Sequence, residues 1–302
     1  MFQSKQGVAA LSVVSNTLLT VSKLIIGLMI GSVSVVAEAI HSGVDLLASL
    51  IALFAVSRSG RPPDDNYAFG RGKIENVSGT VEALLIFVAA GLIVAEAIGK
   101  LQREPELPEV NLGLAVMAVS VVANVVVSRR LFAVAKRTDS VALQADAYHL
   151  STDVLTSLGV FVGLVLVRLT GFAYFDPIAA LVVAAMIVKT AWDITRHSFL
   201  DLLDRSLPEE ERRLVARVIQ EHGDRLVGFH SVRTRKAGGE KHVDLHLVVN
   251  AKATVEESHS LCDHLERDLH GALGRCTLNI HVEPCRQECA GCAVKCGSAT
   301  KA

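Results

Sequence analysis

Six apolar segments, at about 8–31, 33–57, 76–99, 111–134, 143–169 and 174–195, take up most of the first 200 residues. Each reaches or exceeds the roughly 20 residues that a helix needs to cross the hydrocarbon core of a bilayer. In lipid every backbone N–H and C=O must be satisfied inside the protein, so a run of this kind forms a helix. The pattern predicts an all-α six-helix transmembrane bundle over residues 1–200. Hydrophobic residues make up 51% of the chain and the mean hydropathy is +0.42, too apolar for an ordinary soluble domain. The first segment has no small-residue cleavage site leading into a soluble domain, so it reads as a retained helix.

Against this apolar background the exceptions matter most. His41 and Asp45 stand four apart in the second segment, and His149 and Asp153 four apart in the fifth. Residues with that spacing share one helix face. An Asp at the centre of a spanning helix costs about 2.5–3.5 kcal/mol on insertion scales. Two copies of so expensive a pair point to joint use. Two imidazoles and two carboxylates form a four-ligand set suited to Zn²⁺ or a similar divalent metal. Glu38 and Ser42 extend the first stripe and Asp146 the second. Helix-internal ion pairs, or a proton relay without metal, are the plainer alternatives and explain the duplication less well. Protons compete with metal for imidazole, which gives a physical basis for exchanging one against the other.

The Lys/Arg bias sets an orientation. Arg58, Arg61, Arg71 and Lys73 follow the second segment, and Arg129, Arg130, Lys136 and Arg137 close the fourth. The opposite side carries Lys100, Arg103 and Arg168, with Glu104, Glu106 and Glu109 among them. The first group is therefore expected in the cytoplasm, and with it both termini.

Beyond residue 200 the pattern changes. Pro208 and Glu209 to Glu211 open an amphipathic helix running to about His222, with acids in its first turn. Residues 226–235 read as a strand. Lys241 to Asn250 alternates, with Val243, Leu245, Leu247 and Val249 on one face and His242, Asp244, His246 and Val248 on the other. Gly238 and Gly239 make the hairpin turn. Thr254 to Leu273 is a second helix and Thr277 to Glu283 a third strand. The order α-β-β-α-β gives a small two-layer α+β, ferredoxin-like domain over residues 201–284, followed by a Cys-rich tail at 285–302.

With its two His-x3-Asp pairs, the loop run Asp64 to Glu75 and the run Asp201 to Pro208, the chain resembles the cation diffusion facilitators over about residues 1–284. The resemblance implies six transmembrane helices, a cytoplasmic α+β domain and a homodimer that exports divalent metal, usually by proton antiport. It implies that His41, Asp45, His149 and Asp153 form the transport site, of the zinc type. It also implies a two-metal regulatory site near the dimer interface, from His230, His246, His259, His281 and Glu283. His246 and His281 independently fall on the polar faces of their strands, while scattered surface histidines are the alternative. His242, Asp244, Asp263 and His264 are weaker extras.

One position departs from that pattern. Relatives often build a further site after the second helix from an Asp and two His; the matching residues are Asp64, Tyr67 and Arg71. Arg has no acceptor for a metal, so that site is expected to be absent. Lys73 is expected to pair with Asp201 or Asp204.

Cys285, Cys289, Cys292 and Cys296 crowd the tail. Disulfides are not expected in a reducing cytoplasm, and four thiolates suit Zn²⁺, Fe²⁺ or Cu⁺. The spacing is not that of bacterial ferredoxins, and an unliganded tail is the alternative. The net charge of -1 offers no case for nucleic acid, and without His-Glu-x-x-His a metalloprotease is disfavoured. No enzymatic activity is expected. Zn²⁺ efflux by proton antiport is the leading expectation, with Fe²⁺, Co²⁺ or Cd²⁺ as alternative ions and a non-transporting membrane metal sensor as the alternative class. The absence of a long His-rich loop fits a bacterial inner membrane.

Overall fold

The computed structural model describes residues 4–30, 33–102, 112–170 and 174–285, and two compact units divide the chain at Leu202 and Leu203. The first consists of six long helices: α1 (Lys5–Ile30), α2 (Val33–Ser59), α3 (Lys73–Leu101), α4 (Leu112–Thr138), α5 (Val141–Thr170) and α6 (Phe175–Leu202). All but α5 contain a stretch long and apolar enough to cross a membrane among the described residues. α5 is 30 residues long and carries Asp146, His149 and Asp153. The predicted segments match these helices, which mostly run a few residues further where Lys, Arg and Thr extend the apolar core.

Side chains are distributed opposite to a soluble bundle. Leu18, Leu28, Met29, Val88, Leu92 and Trp192 face outward, while Ala48, Ala52, Ala83, Ala90, Ala145 and Ala191 are buried with Ser49, Asn76 and Glu82. Lipid is as apolar as Leu, so helices in a bilayer associate through small residues and polar contacts. Gly79 marks the closest approach: a Cβ there would lie 2.8 Å from Ser198 Oγ on α6.

The described start of α3 is a junction. Glu75 is buried and accepts from Lys5 Nζ at 2.9 Å and Ser59 Oγ at 2.7 Å, and from Ser140 Oγ. One carboxylate thereby ties α1, α2, α3 and the turn before α5. Lys73 Nζ donates to the Leu202 carbonyl at 3.4 Å, and Asn76 Nδ2 to Asp201 Oδ2 at 3.4 Å, which fastens α3 to α6.

The second unit has the order α7 (Glu209–Glu221), β1 (Gly228–Ala237), β2 (Glu240–Val249), α8 (Val255–Leu273) and β3 (Cys276–Pro284). β1 pairs antiparallel with β2 and β2 parallel with β3, so β2 is central. The alternation read in β2 is realised: Val243, Leu245, Leu247 and Val249 pack on Val215, Ile219, Leu261, Leu265 and Leu269 from the two helices. The hairpin turns at Gly238, whose φ of +61° suits glycine. Thr254 caps α8 in a reciprocal capping box with Glu257.

Candidate metal centres

Within the helical unit, Asp45 of α2 meets His149 and Asp153 of α5. One ligand atom from each of the three lies within 4.8 Å of the others. His149 Nε2 is 3.2 Å from Asp45 Oδ1. The spacing of four on α5 stacks His149 and Asp153 on the face that α2 packs against. Asp45 and His149 are 6% and 3% exposed. Asn16 Nδ2 holds the neighbouring backbone, donating to the Asp45 carbonyl and to Ser49 Oγ, each at 3.3 Å. The backbone of His41 lies in α2 one turn before Asp45, and its side chain falls outside the described residues. Three of the four predicted ligands are thus brought together.

The surroundings contain a residue that sequence inspection did not single out. Lys23 of α1 is buried, and its Nζ donates to Ser42 Oγ at 2.7 Å, three residues before Asp45. The available signal was an ionisable group well inside an apolar segment, which by default marks function.

The second group lies on the sheet of the other unit. His230, His246 and His281 stand in register across β1, β2 and β3, with ring centroids 5.0 and 4.9 Å apart. Glu283, two residues beyond His281 and on the same face, lies 2.8 Å from His246 Nδ1 and 3.1 Å from His230 Nε2. His230, His246 and Glu283 present ligand atoms within 4.8 Å of one another. Hydrogen bonds from His246 and His230 hold the Glu283 carboxyl below its usual range. A bulge follows His230, with Ser231 at a φ of +51°, an uncommon conformation for a side-chain-bearing residue. His281 Nε2 is 3.7 Å from Glu283.

Other predicted ligands are placed apart or lie outside. His259 is on the exposed surface of α8, 3.8 Å from Asp263. His264 contacts Arg267. His242 is buried, and loss of hydration there lowers its pKa. Cys285 makes no disulfide among the described residues. Cys289, Cys292 and Cys296 fall outside them. In the loop after α2, Arg71 Nη2 bonds Asp64 Oδ2 at 2.6 Å and its guanidinium sits 4.1 Å over the Tyr67 ring. That hydrogen bond is the main reason the Asp64 carboxyl is held below its ordinary range. A guanidinium occupies the middle of this trio.

Comparison with known proteins follows the same division. A model of the cation efflux transmembrane domain matches residues 9–203, and one of the cation efflux protein cytoplasmic domain matches residues 207–285. An uncharacterized transporter of Synechocystis sp. is 33% identical over 254 residues, covering 84% of this chain and 82% of that protein. The cation-efflux pump FieF of Pectobacterium atrosepticum is 31% identical over 254 residues, covering 84% of each. A solved structure of the candidate zinc transporter CzrB, in its zinc form, is 41% identical over 27% of this chain and 92% of that chain, with a TM-score of 0.26.

Proposed function

This chain belongs to the cation diffusion facilitator family of cation efflux proteins, and we propose that it expels a divalent metal, Zn²⁺ foremost, from the cytoplasm in exchange for protons. The observation that carries this reading is the convergence of buried Asp45 and His149 with half-buried Asp153 from two helices. Two carboxylates neutralise a divalent charge that lipid would otherwise reject. An imidazole favours Zn²⁺, Fe²⁺ or Co²⁺ over harder cations such as Mg²⁺ and Ca²⁺. His41, one turn before Asp45, is the fourth ligand in this reading.

The metal is the cargo. His149 and Asp45 hydrogen-bond to each other across the site, and in this reading that bond gives way when the two face a cation. Protonation of His149 restores it and ejects the metal, so binding and release are the two directions of one competition. The helices alternate the side to which the site opens.

The remaining assignments belong to the same proposal. Residues 1–200 transport, 201–284 bind metal and dimerise, and the tail from Cys285 captures metal through Cys289, Cys292 and Cys296. The protein works as a homodimer in a bacterial inner membrane with both termini cytoplasmic. His230, His246 and Glu283 hold a regulatory divalent ion. The donor set fits, because imidazole nitrogens and a carboxylate are ligands suited to Zn²⁺, and His281 adjoins it. His259 joins such a site only through movement of α8 or from a second copy.

The test is Asp153→Ala in inverted membrane vesicles. Zinc uptake driven by a proton gradient should vanish while the protein remains folded and dimeric. Retained flux would count against the site. The same vesicles loaded with Fe²⁺, Co²⁺ or Cd²⁺ rank the ions, and wild-type proteoliposomes that move none would favour a sensor.

A further inference from the structure

Lys23 of α1 is 4% exposed, although it lies in a stretch apolar enough to cross a membrane. The described end of the helix, Ile30, is about 10 Å away at a rise of about 1.5 Å per residue. A lysine this near a helix end ordinarily extends its stem toward the water at that end. Here it reaches inward. Its Nζ donates to Ser42 Oγ at 2.7 Å, and the backbone carbonyl of the same Ser42 accepts from Thr20 Oγ1 at 2.9 Å. Thr20 lies one turn before Lys23, so the amine turns back along α1, away from its nearer end.

The bond belongs to a seam between the first two helices. Asn16, Thr20 and Lys23 recur at intervals of four and three, which puts them on one face of α1. Ser42, Asp45 and Ser49 recur at three and four on α2. Asn16 Nδ2 completes the seam, donating to the Asp45 carbonyl and to Ser49 Oγ, each at 3.3 Å. Amides and hydroxyls of this kind suffice to hold two helices together in lipid. A lysine is a far more expensive way to do so, and an ionisable group at such a place marks function by default.

Its position gives the lysine a use. Ser42 directly follows His41 and precedes Asp45 by three. Residues three apart are neighbours on a helix surface, with Cβ atoms about 5–6 Å apart. The Lys23–Ser42 bond therefore grips α2 between two of the proposed ligands, and Asn16 grips the backbone of Asp45 itself. From that anchored turn Asp45 Oδ1 reaches His149 Nε2 of α5 at 3.2 Å. Ligands from two helices can share one ion only when each is held to within about 0.5 Å.

We propose that Lys23 is a positioning residue of the transport site. Through Ser42 it fixes the turn of α2 that carries His41 and Asp45, and so the distance at which Asp45 meets His149 and Asp153. The inference rests on the transport reading and names what holds the α2 half of the site in place.

Zinc flux through full-length protein in proteoliposomes tests it, measured over a range of zinc concentrations. Lys23→Met keeps an unbranched stem and loses the donor. Its half-saturating zinc concentration should rise about 10–100-fold, the scale of losing a group that orients a metal ligand, and maximal flux should fall by much less. Ser42→Ala removes the acceptor and should give the same rise. The double variant should be no worse than either single one, because each removes the same bond. Lys23→Arg should recover part of the affinity. Losses that multiply in the double variant overturn the proposal, since the two side chains then act separately. So does a wild-type half-saturation in Ser42→Ala, which alone decides the matter if Lys23→Met does not fold. A fall in maximal flux at unchanged half-saturation also overturns it, and assigns Lys23 to helix packing. Wild-type protein that carries no zinc, or Asp153→Ala protein that carries it normally, brings down the transport-site reading itself, and both are seen before any Lys23 variant is made.

Discussion

Asp45, His149 and Asp153 are enclosed by helices, whereas His230, His246 and Glu283 lie on one face of a sheet with side-chain exposures of 50%, 33% and 34%. The donors are of the same two kinds, and the difference lies in water. In the bundle, every change of charge must be balanced within the protein, because solvent is not there to do it. A site so placed fits the proposed exchange of metal for protons. On the sheet, solvent screens the charges, and an ion can come and go without obliging anything else to move. The first arrangement suits transport and the second suits sensing.

The sharpest way to break this contrast is to remove one carboxylate from each site. In the bundle, Asp45→Asn leaves a cation with half its neutralising charge. Proton-driven zinc flux is expected to fall by more than the 10–100-fold typical of losing a group that merely orients a ligand. On the sheet, Glu283→Ala should lower zinc affinity by about 10–100-fold. It should leave flux at saturating zinc close to wild type. Titrations in an Asp153→Ala background isolate the second effect. Equal losses of flux in the two variants would erase the distinction between the sites.

A smaller effect is expected at the loop. Arg71 already bonds Asp64 and stacks on Tyr67, so chelators should not alter the protease sensitivity of this segment. Arg71→Ala should free Asp64 and let its carboxyl return toward the ordinary range, with zinc flux near the wild-type rate. A gain of metal binding in Arg71→His would show that the guanidinium is what keeps metal out.

How far the sequence could be read depends on whether a feature is carried by one element or by several. The helices, the strand alternation and the α-β-β-α-β order are local, set by periods of 3.6 and 2.0, and they emerge as read. The pairing of His149 with Asp153 is also local. Its meeting with Asp45 needed two helices at the right rotation, and duplication of the motif was the only clue. The abreast alignment of His230, His246 and His281 depends on antiparallel and parallel registers that no single strand encodes. Glu75, which joins three helices and a turn, was visible only as one acid in a loop motif. Lys23 was hidden by the apolar run around it. Asp146 was visible as an acid extending the stripe on the fifth segment, but its complete burial is a property of packing.

The smallest expected effect concerns acid. Glu283 is held below its usual value of 4.5, first by the hydrogen bond with His246 and then by that with His230. A folded-state value below the unfolded one means that the unfolded chain takes up the proton first as pH falls. The contribution to stability is therefore complete above pH 4.5 and disappears as pH drops through the lower folded value. In metal-free protein, hydrogen exchange of β1 and β3 should separate wild type from Glu283→Gln at pH 6, and the gap should narrow below pH 4.5 and close once pH has passed the lower folded value. A gap that persisted in strong acid would mean that the glutamate supports the sheet by packing, and that its charge does not matter there.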